Sequence, residues 1–163
     1  MAANYQSNLY ANLSPEEGIP LPPEERIEEA MSRMGVTPLC RISRSSLTEI
    51  WQVRDIVNHT PLLWKHLLPL WEHHSEIVRR FQVDAEIGRR VRGESILEFC
   101  AVSDSRLLPA QLHTGFSGIP LDQLLKQHQM LTPEMTMWLA RQIVDGLCSL
   151  AMIGFIHGDL RPE

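Results

Sequence analysis

The chain has 163 residues, 44% of them hydrophobic and 21% charged, which is enough apolar content for a packed core and excludes wholesale disorder. Its formal charge of -5 lacks the basic balance of a general nucleic-acid binder. The three cysteines, Cys40, Cys100 and Cys148, are far apart, odd in number and form no Cys-x-x-Cys pair, so reduced, buried thiols in a cytoplasmic setting are expected rather than a disulfide framework.

In chain order, the opening stretch MAANYQSNLYANLSPEEG shows neither the basic nor the apolar region of a secretory signal. No uncharged apolar run approaches the ~18–20 residues needed to span a bilayer. The stretch SPEEGIPLPPEE reads as a flexible acidic leader, and PPEERIEEAMSRMG as a short helix that Gly35 stops, so residues 1–36 are set apart. From Thr37, PLCRIS and TEIWQVRD alternate around the polar SRSSL and predict a β-hairpin. TPLLWKHLL is a third strand, and ESILEFCAV and LLPAQLHTG are a fourth and fifth. Between the third and fourth lies a long helix, HSEIVRRFQVDAEIGRRVRG, with Ser75 as its expected cap and an end near Gly93. Its apolar stripe runs through Ile77, Phe81, Gly88 and Val91 and carries Asp84, whereas Glu86 falls off it. After Gly118 the pattern is helical. PLDQLLKQHQ is a short amphipathic helix; TPEMTMWLARQIVDGLCSLAMIG is a longer one, with Thr132 as N-cap, Pro133 at its first position and Gly154 at its end. Leu139, Ile143, Leu147 and Leu150 form its expected core face.

Five strands with one inserted helix, then helices, then His157-Gly158-Asp159-Leu160-Arg161-Pro162-Glu163, resemble the N-terminal part of a eukaryotic-like Ser/Thr protein kinase domain. The resemblance runs from about Pro38 to Glu163. It implies an α+β fold, with a five-stranded antiparallel small lobe plus one helix over residues 37–116. The first helices of an incomplete helical large lobe follow over 117–163 and stop inside the catalytic loop. The family transfers phosphate from ATP, with Mg²⁺, to Ser or Thr of proteins, so ATP, Mg²⁺ and a protein substrate or partner are implied by the resemblance alone. Asp159 matches the Asp that accepts the substrate hydroxyl proton, and the metal-holding Asn of the family would come directly after Glu163. Lys65, in LLWK, matches the strand lysine that reaches the α- and β-phosphates, and Asp84 matches the helix Glu that pairs with it. Ser43, Ser45 and Thr48 stand at the positions of the phosphate-cradling glycines, and with Ser46 they offer hydroxyls to phosphate. Leu63 stands where the family has a small Ala beside the base. The stretch from Gln111 to Phe116, with Thr114, matches the connector on the adenine side, and places His113 at the pocket's back as a structural His.

The departures are as informative as the matches. No glycine remains in the phosphate loop, Asp84 is one methylene shorter than Glu, Gly158 replaces an Arg that binds an activation-loop phosphate, and Arg161 replaces a Lys with a larger planar cation. They support an alternative, a pseudokinase-type scaffold or binding module without catalysis, and the chain alone is expected to be inactive. The His73, His74, Glu72 and Glu76 group offers no complete metal ligand set and is read as solvated. The arginines at 79, 80, 89, 90 and 92 read as a solvated helix face.

Overall fold

The computed structural model describes residues 23–103, 108–116, 118–128, 130–158 and 160. Helix α1 (Pro23–Arg33) leads into strands β1 (Val36–Arg44), β2 (Thr48–Asp55) and β3 (Pro61–Leu67). A short 3₁₀ turn, Pro69–Trp71, and helix α2 (Ser75–Arg90) follow, then β4 (Phe99–Val102), β5 (Ala110–Thr114), α3 (Leu121–His128) and α4 (Pro133–Met152). The strands form one antiparallel sheet in the order β1-β2-β3-β5-β4. This is the α+β architecture expected from the sequence, with the hairpin, the inserted helix and the later helices all in place.

Strand alternation sorts the side chains into two faces. Ile50 pairs with Lys65, Leu63 with His113, and Lys65 with Gln111, so these residues share the face towards α2. Trp51 pairs with Trp64, and Trp64 with Leu112, so these share the opposite face. That opposite face holds the main core of Val53, Trp64, Leu108, Ala110 and Leu112, and α1 closes it with Ala30 and Met31. The leader helix is thus part of the packed core. The Trp64 indole N–H donates to Met34 Sδ at 3.3 Å, and Arg26 clamps α1 to the segment after β3 through a bidentate pair with Glu72 at 2.8 and 2.5 Å.

Helix α2 covers the first face with Phe81 and Ala85, and Val91 is buried just beyond its end. Gly88 lets it approach β4: a Cβ there would lie 3.0 Å from Phe99 Cδ2. Two expectations for α2 are corrected. Ser75 is its first helical residue rather than its cap; His74 holds the cap position without a side-chain bond, because its backbone is extended and its ring does not reach back. Asp84 lies at the edge of the buried stripe, not within it, because Phe81 and Ala85 set the angle of the helix on the sheet.

Helix α4 starts as its sequence predicts: Thr132 Oγ1 accepts from Met135 N at 3.2 Å, and Gly154 follows the end with φ +83°. Ser95 donates to Gln142 Oε1 at 2.8 Å, tying the approach to β4 to α4. The described residues of α4 include none that is fully buried; Leu139, Ile143, Leu147 and Leu150 are half-buried. The expectation of buried cysteines is also corrected. Cys40, Cys100 and Cys148 are free, as expected, but all three are exposed, since the first two lie on the sheet's edge strands and the third on the outer side of α4. No helix among the described residues is long and apolar enough to cross a membrane.

Candidate functional site

The sheet face that α2 only partly covers opens into a cavity of about 800 Å³ between the sheet, α2 and α4. Ile50, Leu63 and Lys65 line it from β2 and β3; Asp84, Ile87 and Gly88 line it from α2. Gln111 and His113 form its β5 wall. Ile143, Leu147 and Leu150 face it from α4, and Phe155, Ile156, His157 and Leu160 from the segment after α4.

Lys65 Nζ donates to Asp84 Oδ2 at 3.4 Å, with the two side chains 29% and 57% exposed. The ammonium also lies 5.6 Å from the centre of the Phe81 ring. The length of the bond follows from the short Asp side chain, and the exposure of the carboxylate keeps the pair in contact with solvent. The register read from the helix stripe therefore holds: Asp84 faces Lys65, while Glu86 is exposed. Lys65 is a cation on an otherwise largely apolar wall, in position to meet an anionic group of a bound molecule.

His113 is half-buried on the same wall. Burial first, and then the nearby charge of Lys65, push its pKa below the usual histidine value, against the opposing pull of Asp84. Its ring packs edge-on to Phe99 with centroids 5.5 Å apart. Gln111, buried behind it, donates from Nε2 to Phe81 O at 2.8 Å.

The serine-rich turn stands apart from this cavity. Ser45 Oγ accepts from Leu47 N at 3.2 Å and from Thr48 N at 3.0 Å, and Ser45 N donates to Thr48 O at 2.8 Å. The Trp71 indole donates to Ser46 O at 2.8 Å, and Leu68 N to Leu47 O at 2.9 Å. The turn is thereby closed on itself and tied to the segment after β3. Ser43, Ser45, Ser46 and Thr48 do not line the cavity. Nor do Thr114, whose hydroxyl accepts from Glu98 N at 3.1 Å, and Phe116, whose ring is partly exposed. Gly115 between them donates to Pro61 O at 3.1 Å, and a side chain there would collide with the Pro61 carbonyl.

Of the residues singled out in the sequence, Lys65, Leu63 and Asp84 are brought together. Asp159 and Arg161 lie outside the described residues, although His157 and Leu160, on either side of Asp159, line the cavity. Ile50 was not singled out. Its signal was its place two residues after Thr48 on the strand that pairs with Lys65. A second polar cluster also went unseen. On the α1-facing side, buried Glu49 meets Arg41 at 3.3 Å, Arg44 at 3.2 Å, the Trp51 indole at 3.2 Å and His66 Nε2 at 3.3 Å. Burial raises the Glu49 pKa, but the hydrogen bonds from Trp51 and His66 and the charges of His66 and Arg44 outweigh it and hold it below the usual value. Strand alternation puts Glu49 on the core face of Trp51 and Val53, but nothing local marks the ion partners that let an acid be buried there.

A five-stranded antiparallel sheet with a strand lysine facing a carboxylate on the one inserted helix, followed by helices, is the fold of a protein kinase small lobe and the first helices of its large lobe. The chain is accordingly a protein kinase-like domain. No family model matches it. It is similar to the serine/threonine-protein kinase PknD of Mycobacterium tuberculosis, 24% identical over 143 residues that cover 85% of this chain and 21% of that protein. It is also similar to the serine/threonine-protein kinase PknA of Corynebacterium glutamicum, 22% identical over 129 residues that cover 74% of this chain and 27% of that protein. Among solved structures it matches the Mycobacterium tuberculosis PknI kinase domain with a TM-score of 0.65 and 21% identity, over 78% of this chain and 52% of that one. The chain thus spans 21% and 27% of the length of these curated relatives and about half of the solved kinase domain.

Proposed function

We propose that the cavity is a nucleotide site of the Ser/Thr kinase type and that this chain contributes its base-binding and phosphate-positioning half. The observation that carries this reading is the Lys65–Asp84 pair at 3.4 Å on the wall of a cavity of about 800 Å³. Ile50 and Leu63 offer apolar surface to a base, and the Lys65 ammonium offers a charge-assisted bond to a phosphate. Asp84 keeps that ammonium directed along α2. Asp159 would accept the proton of a Ser or Thr hydroxyl on a protein substrate, and Arg161 would keep a positive charge near the transferred phosphate. ATP fits the donor set of one cation and apolar walls. Magnesium would supply neutralisation of phosphate charge when bound; among the described residues no group of three His, Cys, Asp or Glu is placed to hold a metal. The three free cysteines suit a reducing, cytoplasmic compartment.

A second reading, a nucleotide-free or non-catalytic scaffold, is favoured by one specific observation. The Leu47 and Thr48 amides, which a phosphate cradle would need, are already bonded to Ser45 Oγ. Titration of ATP, with and without Mg²⁺, into the chain and into Lys65→Met separates the two. Binding that weakens at least tenfold in Lys65→Met supports the nucleotide site; equal binding, or none, favours the scaffold. No phosphate transfer is expected from this chain alone; transfer that is present in it and lost in Asp159→Asn, with ATP binding retained, would overturn that expectation and support the catalytic role.

A further inference from the structure

A carbonyl oxygen can only accept a hydrogen bond. Phe81 O lies 2.8 Å from Gln111 Nε2, so that nitrogen donates, and the orientation of the Gln111 amide, 2% exposed, is set by the backbone of α2. Gln111 Oε1 is left as an acceptor, 3.3 Å from His113 Nε2. His113 Nε2 must therefore carry the ring proton. Burial and Lys65 keep the ring neutral at neutral pH despite Asp84, so His113 Nδ1 is a bare lone pair. Nδ1 has no hydrogen-bond partner among the described residues, and no buried side-chain nitrogen or oxygen there lacks one. It is therefore not fully buried, and the residue that bears it lines the cavity.

We propose that His113 is a specificity-determining residue of this cavity, whose Nδ1 accepts from an exocyclic amino group and so selects a 6-aminopurine nucleotide over a 6-oxopurine one. The proposal rests on the nucleotide-site reading above. Its chemistry is one-sided: a 6-oxo group would set an oxygen lone pair against the nitrogen lone pair, with no proton between them. Gln111 and Phe81 act only through His113, as positioning groups that lock its tautomer. The contact between α2 and β5 thus decides whether the nitrogen that faces the ligand is bare or protonated.

The test compares ADP with inosine 5′-diphosphate by calorimetry on the full chain. The two ligands share their phosphates, so the contribution of Lys65 cancels in the ratio. The wild type is expected to prefer ADP. His113→Asn, whose amide oxygen can stand at the Nδ1 position, should keep that preference, and His113→Leu should reduce it about three- to tenfold, the worth of one neutral hydrogen bond. A two-bond ¹H–¹⁵N spectrum of the unmutated chain reads the tautomer directly, whatever the variants do to folding. A proton on Nδ1 would overturn the proposal. So would an unchanged preference in His113→Leu, which would leave the nucleotide site standing. Failure of both nucleotides to bind would overturn the nucleotide-site reading and the proposal together.

Discussion

Replacing Gly88 by Ala sets two local effects of known size against each other. In an exposed helix interior the change would stabilise by about 0.8–1 kcal/mol, since Gly is the poorest helix former after Pro. At this site the new methyl would stand 3.0 Å from Phe99 Cδ2 and 3.3 Å from Phe99 Cβ and Cγ. Favourable carbon–carbon separations are about 3.5–4.0 Å. The phenyl ring has little room to give, because His113 packs edge-on at 5.5 Å and the Arg89 guanidinium lies over it at 5.6 Å. Overpacking of this kind costs about 1–3 kcal/mol, so the net expectation is a loss of about 1 kcal/mol. The loss should reach function as well, since α2 can yield only by moving off β4, and α2 carries Asp84. Urea denaturation of the wild type, Gly88→Ala, Phe99→Leu and the double variant measures the coupling directly. In the Phe99→Leu background, with the clash relieved, Gly88→Ala should stabilise. A Gly88→Ala chain more stable than wild type would refute the argument that Gly88 sets the seating of α2 on β4.

A double-mutant cycle on Lys65→Met and Asp84→Asn should give a stability coupling of no more than about 1 kcal/mol, as expected for a solvent-exposed pair, even where nucleotide binding collapses; a coupling several times larger would mean a dry, tight ion pair. Met31→Ala, at a core position of α1 that is 1% exposed, should cost about 2–4 kcal/mol by denaturation, whereas a neutral result would detach α1 from the lobe. Burial lowers the His66 and His113 pKa values below 6.5, so the unfolded chain takes up protons as pH falls through 6.5 while the folded chain resists. Stability should therefore be full above pH 6.5 and decline below it, and a melting midpoint that rises between about pH 7 and about pH 5.5 would contradict this. Met137, Trp138, Val144 and Met152 leave α4 with an exposed apolar surface that should bind an apolar dye, and Trp138→Glu should reduce the signal.

The order and type of the elements were legible because each is encoded over short range. TEIWQVRD alternates, Thr132-Pro133 and Gly154 punctuate α4, and the period of α2 carries Asp84 to the side of Lys65. The family resemblance pairs the motif lysine with its carboxylate across 19 residues, and strand and helix periodicity, each fixing a side-chain direction, agree with it. Other features depend on contacts between distant segments, which no local pattern records. The burial of Met31 under a sheet built from later residues, the closure of the serine turn by Trp71, and the exposure of all three cysteines belong to this group. So does the state of His113. Its sequence neighbours give no reason for one nitrogen rather than the other to bear the proton. That is decided by Gln111, which is held in turn by the Phe81 carbonyl 30 residues away, and only the packing of α2 on β5 brings the three within hydrogen-bond reach.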